Sequence, residues 1–466
     1  MSKIKAGNTS IIEMLSFGGG QFATAIYIAF SSYYLMMFCT DVAMISAKTT
    51  AALLFCVSLF GMVNDQIVGL SINRARFADG KYRPYYKLCT LPLAIGLIAL
   101  SLTPEINASY KIIYAAFVML LCEVCRSVLC TAAVSMIPYL AQDDVSRTKF
   151  VSFFNGGAIL AFIVVGTFML PLADFFGGND RSTGFVYVLA LFAFFALMLH
   201  FNAYFNLKER HYVDTPNKPA IKDMFLCIGQ NKKIMLFLTG YCLYNMADAF
   251  KNMTAYYYVT YNMGRPDLLP AIILSGLIST LAIQPMIPRL LVYVKKETLV
   301  IAGLFATSCS SLLMLAAGNR PFALVACVML YGLFTAIVAN LVFAMMASFS
   351  DEIRLGKNMS MSEILVACMS LSSNLGSAIA SGIAPLAMAA FGYAALAAAQ
   401  PPSALLGIKV LYVLCTATGM ALSGAVFLLK QCGEWRVEIK PKDKLQMTNY
   451  NVQIKDRDKD KRTKEL

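Results

Sequence analysis

The feature that most constrains this chain is a set of twelve apolar runs, each near the length of about 20 residues that an α-helix needs to cross a bilayer. They cover 11–39, 46–72, 87–104, 110–140, 150–173 and 184–206 in the first half, and 233–261, 268–289, 297–317, 321–349, 361–391 and 404–429 in the second. Composition agrees: 58% of the 466 residues are hydrophobic and 14% charged, against about 25% charged in an ordinary soluble domain. A water-facing globule cannot hide so much apolar side chain, so lipid is the expected solvent. Backbone polar groups in lipid must be satisfied internally, which predicts helices for all twelve runs. Several exceed the bilayer thickness and are expected to tilt or project. The first run holds Glu13 and is followed at once by a second, so no cleavable signal peptide is expected.

Basic residues set the expected orientation. Of the 39 Lys and Arg, 31 fall in the two tails and the loops on their side, whereas Lys48, Lys111, Arg181, Arg265 and Arg320 fall on the other. By the positive-inside rule both termini are cytoplasmic, in a multi-pass protein of the cell membrane. The net charge of +13 then reflects topology and contact with anionic lipids rather than nucleic-acid binding. The thirteen Cys are scattered through the apolar runs and read as buried free thiols, not a disulfide framework. His200 and His211 are too few and too isolated for a metal site or a proton relay.

The chain also repeats itself. "YLAQDDVSRTKF" (139–150) follows the fourth run, and "SFSDEIRLGKNM" (348–359) follows the tenth. Each has two adjacent acids and then an Arg, Arg147 or Arg354, 207 residues apart. "NGGA" from Asn155 in the fifth run is echoed by "NLGSA" from Asn374 in the eleventh, 219 residues apart. The expected fold is therefore an all-α membrane protein of twelve transmembrane helices in two pseudo-symmetric six-helix bundles, the major facilitator arrangement. The bundles are 1–206 and 233–429, joined by a cytoplasmic loop at 207–232. The tail, 430–466, ends in "KDRDKDKRTKEL", whose alternating charges predict disorder.

Five stretches, "FGGGQF", "YYLMMFCTDV", "NDQIVGLSINRARFADGKYRPY", "MIPYLAQDDVSRTKFVSF" and "AYYYVTYNMG", resemble the glycoside–pentoside–hexuronide cation symporters, the melibiose-carrier family. The resemblance covers nearly all of 11–429. It implies alternating access and symport of a sugar-like solute with Na⁺, Li⁺ or H⁺. In the melibiose carriers two carboxylates one turn apart on span two hold the cation. Asn64 and Asp65 match the later part of that motif, while the earlier carboxylate falls at Gly61. A lone Asp65 suits a proton better than a Na⁺ cage, or ties span two to a neighbour. The family's charged sugar contacts fall at Ala25, Cys130, Asn155 and Asn374, and its stacking aromatic falls near Val134. The resemblance thus implies a less charged pocket and a different solute. Asn155 and Asn374, expected to face each other at the midplane, either bond a neutral polyol or pack helices together.

Further charges lie inside the runs. Glu123 and Arg126, and Asp248 and Lys251, are each three residues apart, which puts each pair on one helix face. They read either as locked intrahelical pairs or as a charge network facing a cavity. Gln21 and Gln284 are polar enough to line that cavity. Tyr33, Tyr34 and Tyr256–Tyr258 read as solute contacts or as interface anchors. The basic loop 73–87 is expected to pair with Asp65, Asp143, Asp144 or Glu209 and to hold an inner gate, with Arg83 as the residue to test.

Three functional classes compete. A secondary transporter accounts for the spans, the repeat and the midplane polar residues. An enzyme would need a metal-ligand cluster, a Ser–His pairing or a cofactor loop, and the sequence offers none. A non-transporting sensor on this fold is the third. The expected partners are a small solute and membrane lipids, with no nucleic acid and no cofactor beyond H⁺ or Na⁺ as coupling ion, in a monomer.

Overall fold

The structure, a computed structural model, describes residues 10–437 apart from 73–79, 103–106, 142–143, 179, 211–230, 319, 358–361, 396 and 398. Arg74, Arg76, Asp143, most of the central loop and the tail beyond 437, with its expected disorder, lie outside the described residues.

Helices stand at all twelve expected places. They are α1 (Ile11–Tyr33), α2 (Ala47–Ser71), α3 (Pro84–Ser101), α4 (Ala108–Leu140), α5 (Asp144–Gly177) and α6 (Arg181–Asn206) in the first bundle. The second holds α7 (Lys232–Tyr257), α8 (Leu269–Ile283), α9 (Lys296–Ala317), α10 (Pro321–Lys357) and α11 (Ser362–Ala390). It closes with α12 (402–437), which a π-helical turn at Val410–Cys415 interrupts. Polar caps mark several starts: Ser10 and Glu13 form a capping box on α1, and Ser46, Asn107, Asp180 and Asn231 cap α2, α4, α6 and α7. Pro84 opens α3, where its missing N–H has no intrahelical partner to lose. The fifth run was expected to start at 150 and the tenth to end at 349. Helix α5 starts six residues earlier and α10 ends eight later, because the charged segments from Asp144 and through Asp351 and Glu352 stay helical outside the apolar stretch. Hydropathy marks the lipid-facing part of a helix, not its ends.

Among the described residues ten helices are long and apolar enough to cross a membrane, and α7 and α11 are not among them. Helix α7 falls short because Asn245, Asp248, Lys251 and Asn252 interrupt its apolar run, and α11 carries Ser372, Ser373, Asn374, Ser377 and Ser381. Large apolar side chains elsewhere point outward, such as Phe117 at 67% and Phe168 at 49% exposure, as expected where lipid is the solvent.

The packing repeats with a shift of six helices. Contacts of α1 with α5 and α6 recur as α7 with α11 and α12. Contacts of α3 with α4 and α6, and of α2 with α4, recur as α9 with α10 and α12, and α8 with α10. Between bundles α2 meets α11 and α5 meets α8, two contacts that the same shift exchanges. Glycine sits at matching crossings. A Cβ on Gly157 would lie 2.0 Å from the Gly18 carbonyl oxygen of α1, and one on Gly376 would lie 2.3 Å from the Cys242 oxygen of α7. These glycines carry the 219-residue echo. The ends of α1 and α7 match as well, each passing into a π-helical turn, Phe38–Val42 and Tyr258–Asn262.

On the face that holds the termini, the chain leaving α6 straps the first bundle together. Glu209 accepts the backbone N–H groups of Lys81, Tyr82 and Arg83, each at 2.7 Å, beside a turn that Gly80 makes at φ +129°. Arg210 forks onto Glu13 of α1 at 3.0 and 2.7 Å. The Arg83 guanidinium lies 4.7 Å from the Tyr204 ring and donates to the Tyr204 carbonyl. Among the described residues this loop makes no pair with Asp65, whose oxygens go to Arg126 and Asn374. Glu209 is a partner, but through backbone amides, and Arg83 braces its own bundle without crossing to the other.

Candidate functional site

A cavity of about 270 Å³ lies between the bundles, lined by α1, α2 and α4 on one side and α7 and α11 on the other. Its polar centre has two parts. On the first-bundle side the Arg126 guanidinium bridges two carboxylates: Nη2 is 3.0 Å from Asp65 Oδ1 and 2.5 Å from Glu123 Oε1, and Nε is 2.9 Å from the same Glu123 oxygen. All three side chains are 15–16% exposed. The second Asp65 oxygen accepts the Asn374 amide at 2.8 Å, so Asp65 of α2 also ties to α11 across the bundle boundary. Ser58 and Ser381 make a second tie along the same helix pair at 3.2 Å. Here Gly61 matters for what it leaves room for. A Cβ at that position would lie 2.6 Å from Glu123 Oε1, so the Glu123 carboxylate occupies the space beside α2 that a side chain at 61 would need.

The second-bundle side corrects an expectation. Asp248 and Lys251 share a helix face but form no ion pair among the described residues. Asp248 instead accepts the Tyr331 hydroxyl of α10 at 3.1 Å and the Asn252 amide at 2.8 Å. Lys251 lies over the Tyr331 ring, 4.4 Å from its centroid, with the Asn252 oxygen at 3.5 Å. Tyr331 thus satisfies the carboxylate with its hydroxyl and the ammonium with its face. Glu123 and Arg126 do pair as their spacing suggested, but Asp65 makes the pair a triad.

Of the other expected site residues, only Asn374 lines the cavity. Asn155 is exposed and lies outside the lining, so the two asparagines do not face each other. Gln21 and Asn64 are 5% and 8% exposed, and neither lines the cavity; among the described residues the Gln21 Oε1 and Asn64 Nδ2 atoms have no hydrogen-bond partner. Ala25, Cys130 and Val134, where family contacts would fall, are also outside the lining. The implied less charged pocket is replaced by one that draws Glu123, Arg126 and Asp248 from other positions.

At the end of the cavity away from the termini the bundles are tied together, mostly by residues with no role expected from sequence. Asp41, in the π-helical turn after α1, accepts the Tyr393 hydroxyl at 2.6 Å and the Tyr261 hydroxyl at 3.3 Å, both from the second bundle. Thr40 bonds Tyr257 at 2.8 Å, and Arg181 of α6 bonds Tyr256 at 3.2 Å. Tyr256, Tyr257 and Tyr258 are buried at 2%, 0% and 3% exposure, so they are neither interface anchors nor part of the cavity lining. Asp41 lies in one of the quoted stretches, as the Asp of "CTDV". A carboxylate at the mouth of an apolar span was the signal available.

The described residues hold no group of three or more His, Cys, Asp or Glu able to bind a metal ion. Comparison with known proteins places this geometry in a family. The family described as MFS/sugar transport protein matches residues 16–429. The chain is similar to the isoprimeverose transporter of Lactiplantibacillus pentosus, 24% identical over 422 residues that cover 89% of this chain and 88% of the relative. It is as similar to a protein of Escherichia coli (strain K12) provisionally named glycoside/cation symporter YagG, 24% identical with 90% of each covered. Among solved structures, the nucleoside transporter NupG (D323A mutant) superposes with a TM-score of 0.65 at 13% identity, covering 90% of this chain and 98% of that one. That likeness concerns the fold.

Proposed function

The chain belongs to the MFS/sugar transport family, and from that premise we propose that it carries a sugar or glycoside-like solute across the membrane by alternating access, in symport with a cation. The observation that carries this reading is the cavity between the bundles. Glu123, Arg126, Asn245, Asp248, Asn252 and Asn374 all line it, and the ties around Asp41 close it at the end away from the termini. Its volume, about 270 Å³, lies just below the roughly 300–1,000 Å³ usual for small-molecule sites. Carboxylates accept from vicinal hydroxyls, carboxamides donate and accept, and a guanidinium donates, a set that suits a neutral polyhydroxy solute. Names of relatives support the solute class: one is an isoprimeverose transporter and another is provisionally a glycoside/cation symporter. With 31 of 39 basic residues on the terminal side, that side is cytoplasmic and the closed end extracellular. Asp65, the carboxylate shared between triad and bundle boundary, is the residue through which coupling acts.

Reconstituted protein tests the reading. Counterflow of labelled glycosides into proteoliposomes is expected for at least one member of a panel of glycosides, hexuronates and polyols that first shows thermal stabilisation of the detergent-solubilised protein. Stabilisation without counterflow would instead mark a sensor on a transporter fold, and neither response would remove sugars as the cargo.

A further inference from the structure

The family resemblance implies an alkali cation between two carboxylates on span two, and the residues present do not fit one. Positions 61 and 65 are one turn apart on the same face of α2. The carboxylate absent at Gly61 is replaced in space, though not in sequence, by Glu123 reaching across from α4 to within 2.6 Å of where a Cβ would stand. Two carboxylates therefore converge beside α2, as a cation site requires. What stands between them is already a cation. The Arg126 guanidinium contacts Asp65 Oδ1 and Glu123 Oε1 at 3.0 and 2.5 Å, and the other Asp65 oxygen is taken by the Asn374 amide at 2.8 Å.

Every one of these contacts brings an N–H to an oxygen. A hard cation needs several oxygen lone pairs aimed at itself, and here both Asp65 oxygens are turned to N–H donors. Arginine does not surrender its proton in a protein, so its charge cannot be switched off to admit a second cation. We propose that Arg126 is a built-in cation of this carrier, standing where Na⁺ or Li⁺ would otherwise sit, so that transport runs without either ion.

The proposal rests on the transporter reading but is tested separately from it. Thermal unfolding of the purified protein is followed with choline chloride, NaCl or LiCl at matched ionic strength. The parent is expected to show the same midpoint in all three, because an ion that bound the native state would raise it. Counterflow of whichever solute the panel identifies is expected at equal rates in the three salts, whether or not a pH gradient drives net uptake. In Arg126→Ala the two carboxylates are left facing each other, and a rise of a few degrees with NaCl or LiCl, absent from the parent, is expected. Specific stabilisation or stimulation of the parent by Na⁺ or Li⁺ overturns the proposal, as does a folded Arg126→Ala that responds to neither ion. Should that variant not fold, Arg126→Gln and the parent's own salt series decide. Failure of every solute to move defeats the sugar-carrier reading and leaves the salt series on the parent as an independent test of Arg126.

Discussion

Asp65 has one oxygen on the guanidinium of its own bundle and the other on a carboxamide of the opposite bundle. A change of charge at this residue is therefore felt by both the triad and the bundle boundary. Asp65→Asn is expected to abolish gradient-driven accumulation of solute while sparing counterflow exchange; equal accumulation by variant and parent would end the coupling role. Tyr331 gives a second test at this scale. Tyr331→Phe keeps the ring beneath Lys251 and removes only the hydroxyl bond to Asp248, a loss of about 1.5–3 kcal/mol for a bond to a charged group. Tyr331→Leu removes the ring face as well and should lose a further 0.5–2 kcal/mol or so. Thermal melts in detergent should thus rank parent, Phe and Leu in that order; a Leu variant no worse than Phe would mean the ammonium gains nothing from the ring. The pair Glu123–Arg126 was legible in the sequence because one helix sets its spacing. The partners of Asp248 and Lys251 were not, since both are captured by a tyrosine on α10, 83 and 80 residues away in the chain. Asn155 shows the same limit: an internal echo fixes its place along α5, whereas only the packed neighbours decide which way it faces.

At the scale of helices, adjacent glycines have opposite duties. Gly157 closes α5 onto α1, where an added Cβ would sit 2.0 Å from a backbone oxygen, while a Cβ on Gly156 would meet nothing within 4 Å. Gly157→Ala must force the helices apart and should lose at least the roughly 1–3 kcal/mol typical of overpacking. Gly156→Ala should be neutral or stabilising by up to about 1 kcal/mol, the helix-propensity gain of alanine over glycine. Gly376→Ala is expected to behave like Gly157→Ala, because α11 meets α7 in the same way. Melting of the three variants checks this, and a Gly157→Ala variant as stable as Gly156→Ala would show that the crossing is looser than described. Helix positions and the duplication were readable because periodic apolar runs and the paired "NGGA" and "NLGSA" stretches are local signals. The same hydropathy signal understates α7, whose Asn245, Asp248 and Asn252 line the cavity.

For the molecule as a whole, alternating access requires two arrangements of the bundles separated by only a few kcal/mol, so that a solute can shift their populations. The described arrangement is held at the end away from the termini by Asp41 with Tyr261 and Tyr393, Thr40 with Tyr257, and Arg181 with Tyr256. Each tie joins one bundle to the other and must break for that end to open. These residues are widely separated in the chain, and only the two π-helical turns at matching places in the bundles bring Asp41 and Tyr261 together. No run or motif in the sequence announces such a meeting. Tyr393→Phe deletes a donor from a buried carboxylate without changing the shape of the ring. Losing a bond of about 1.5–3 kcal/mol from one arrangement only shifts the balance toward the other by roughly ten- to a hundredfold. A cysteine placed in the cavity at Ser31, in a background with the native cysteines replaced, reports the opening through its reaction with a membrane-impermeant maleimide added on the side away from the termini. Labelling in Tyr393→Phe is expected to be at least about tenfold faster than in the parent, and Asp41→Asn, which leaves a neutral acceptor for the same hydroxyls, should fall between them. Equal labelling of all three would mean that these contacts follow closure of the bundles and do not hold it.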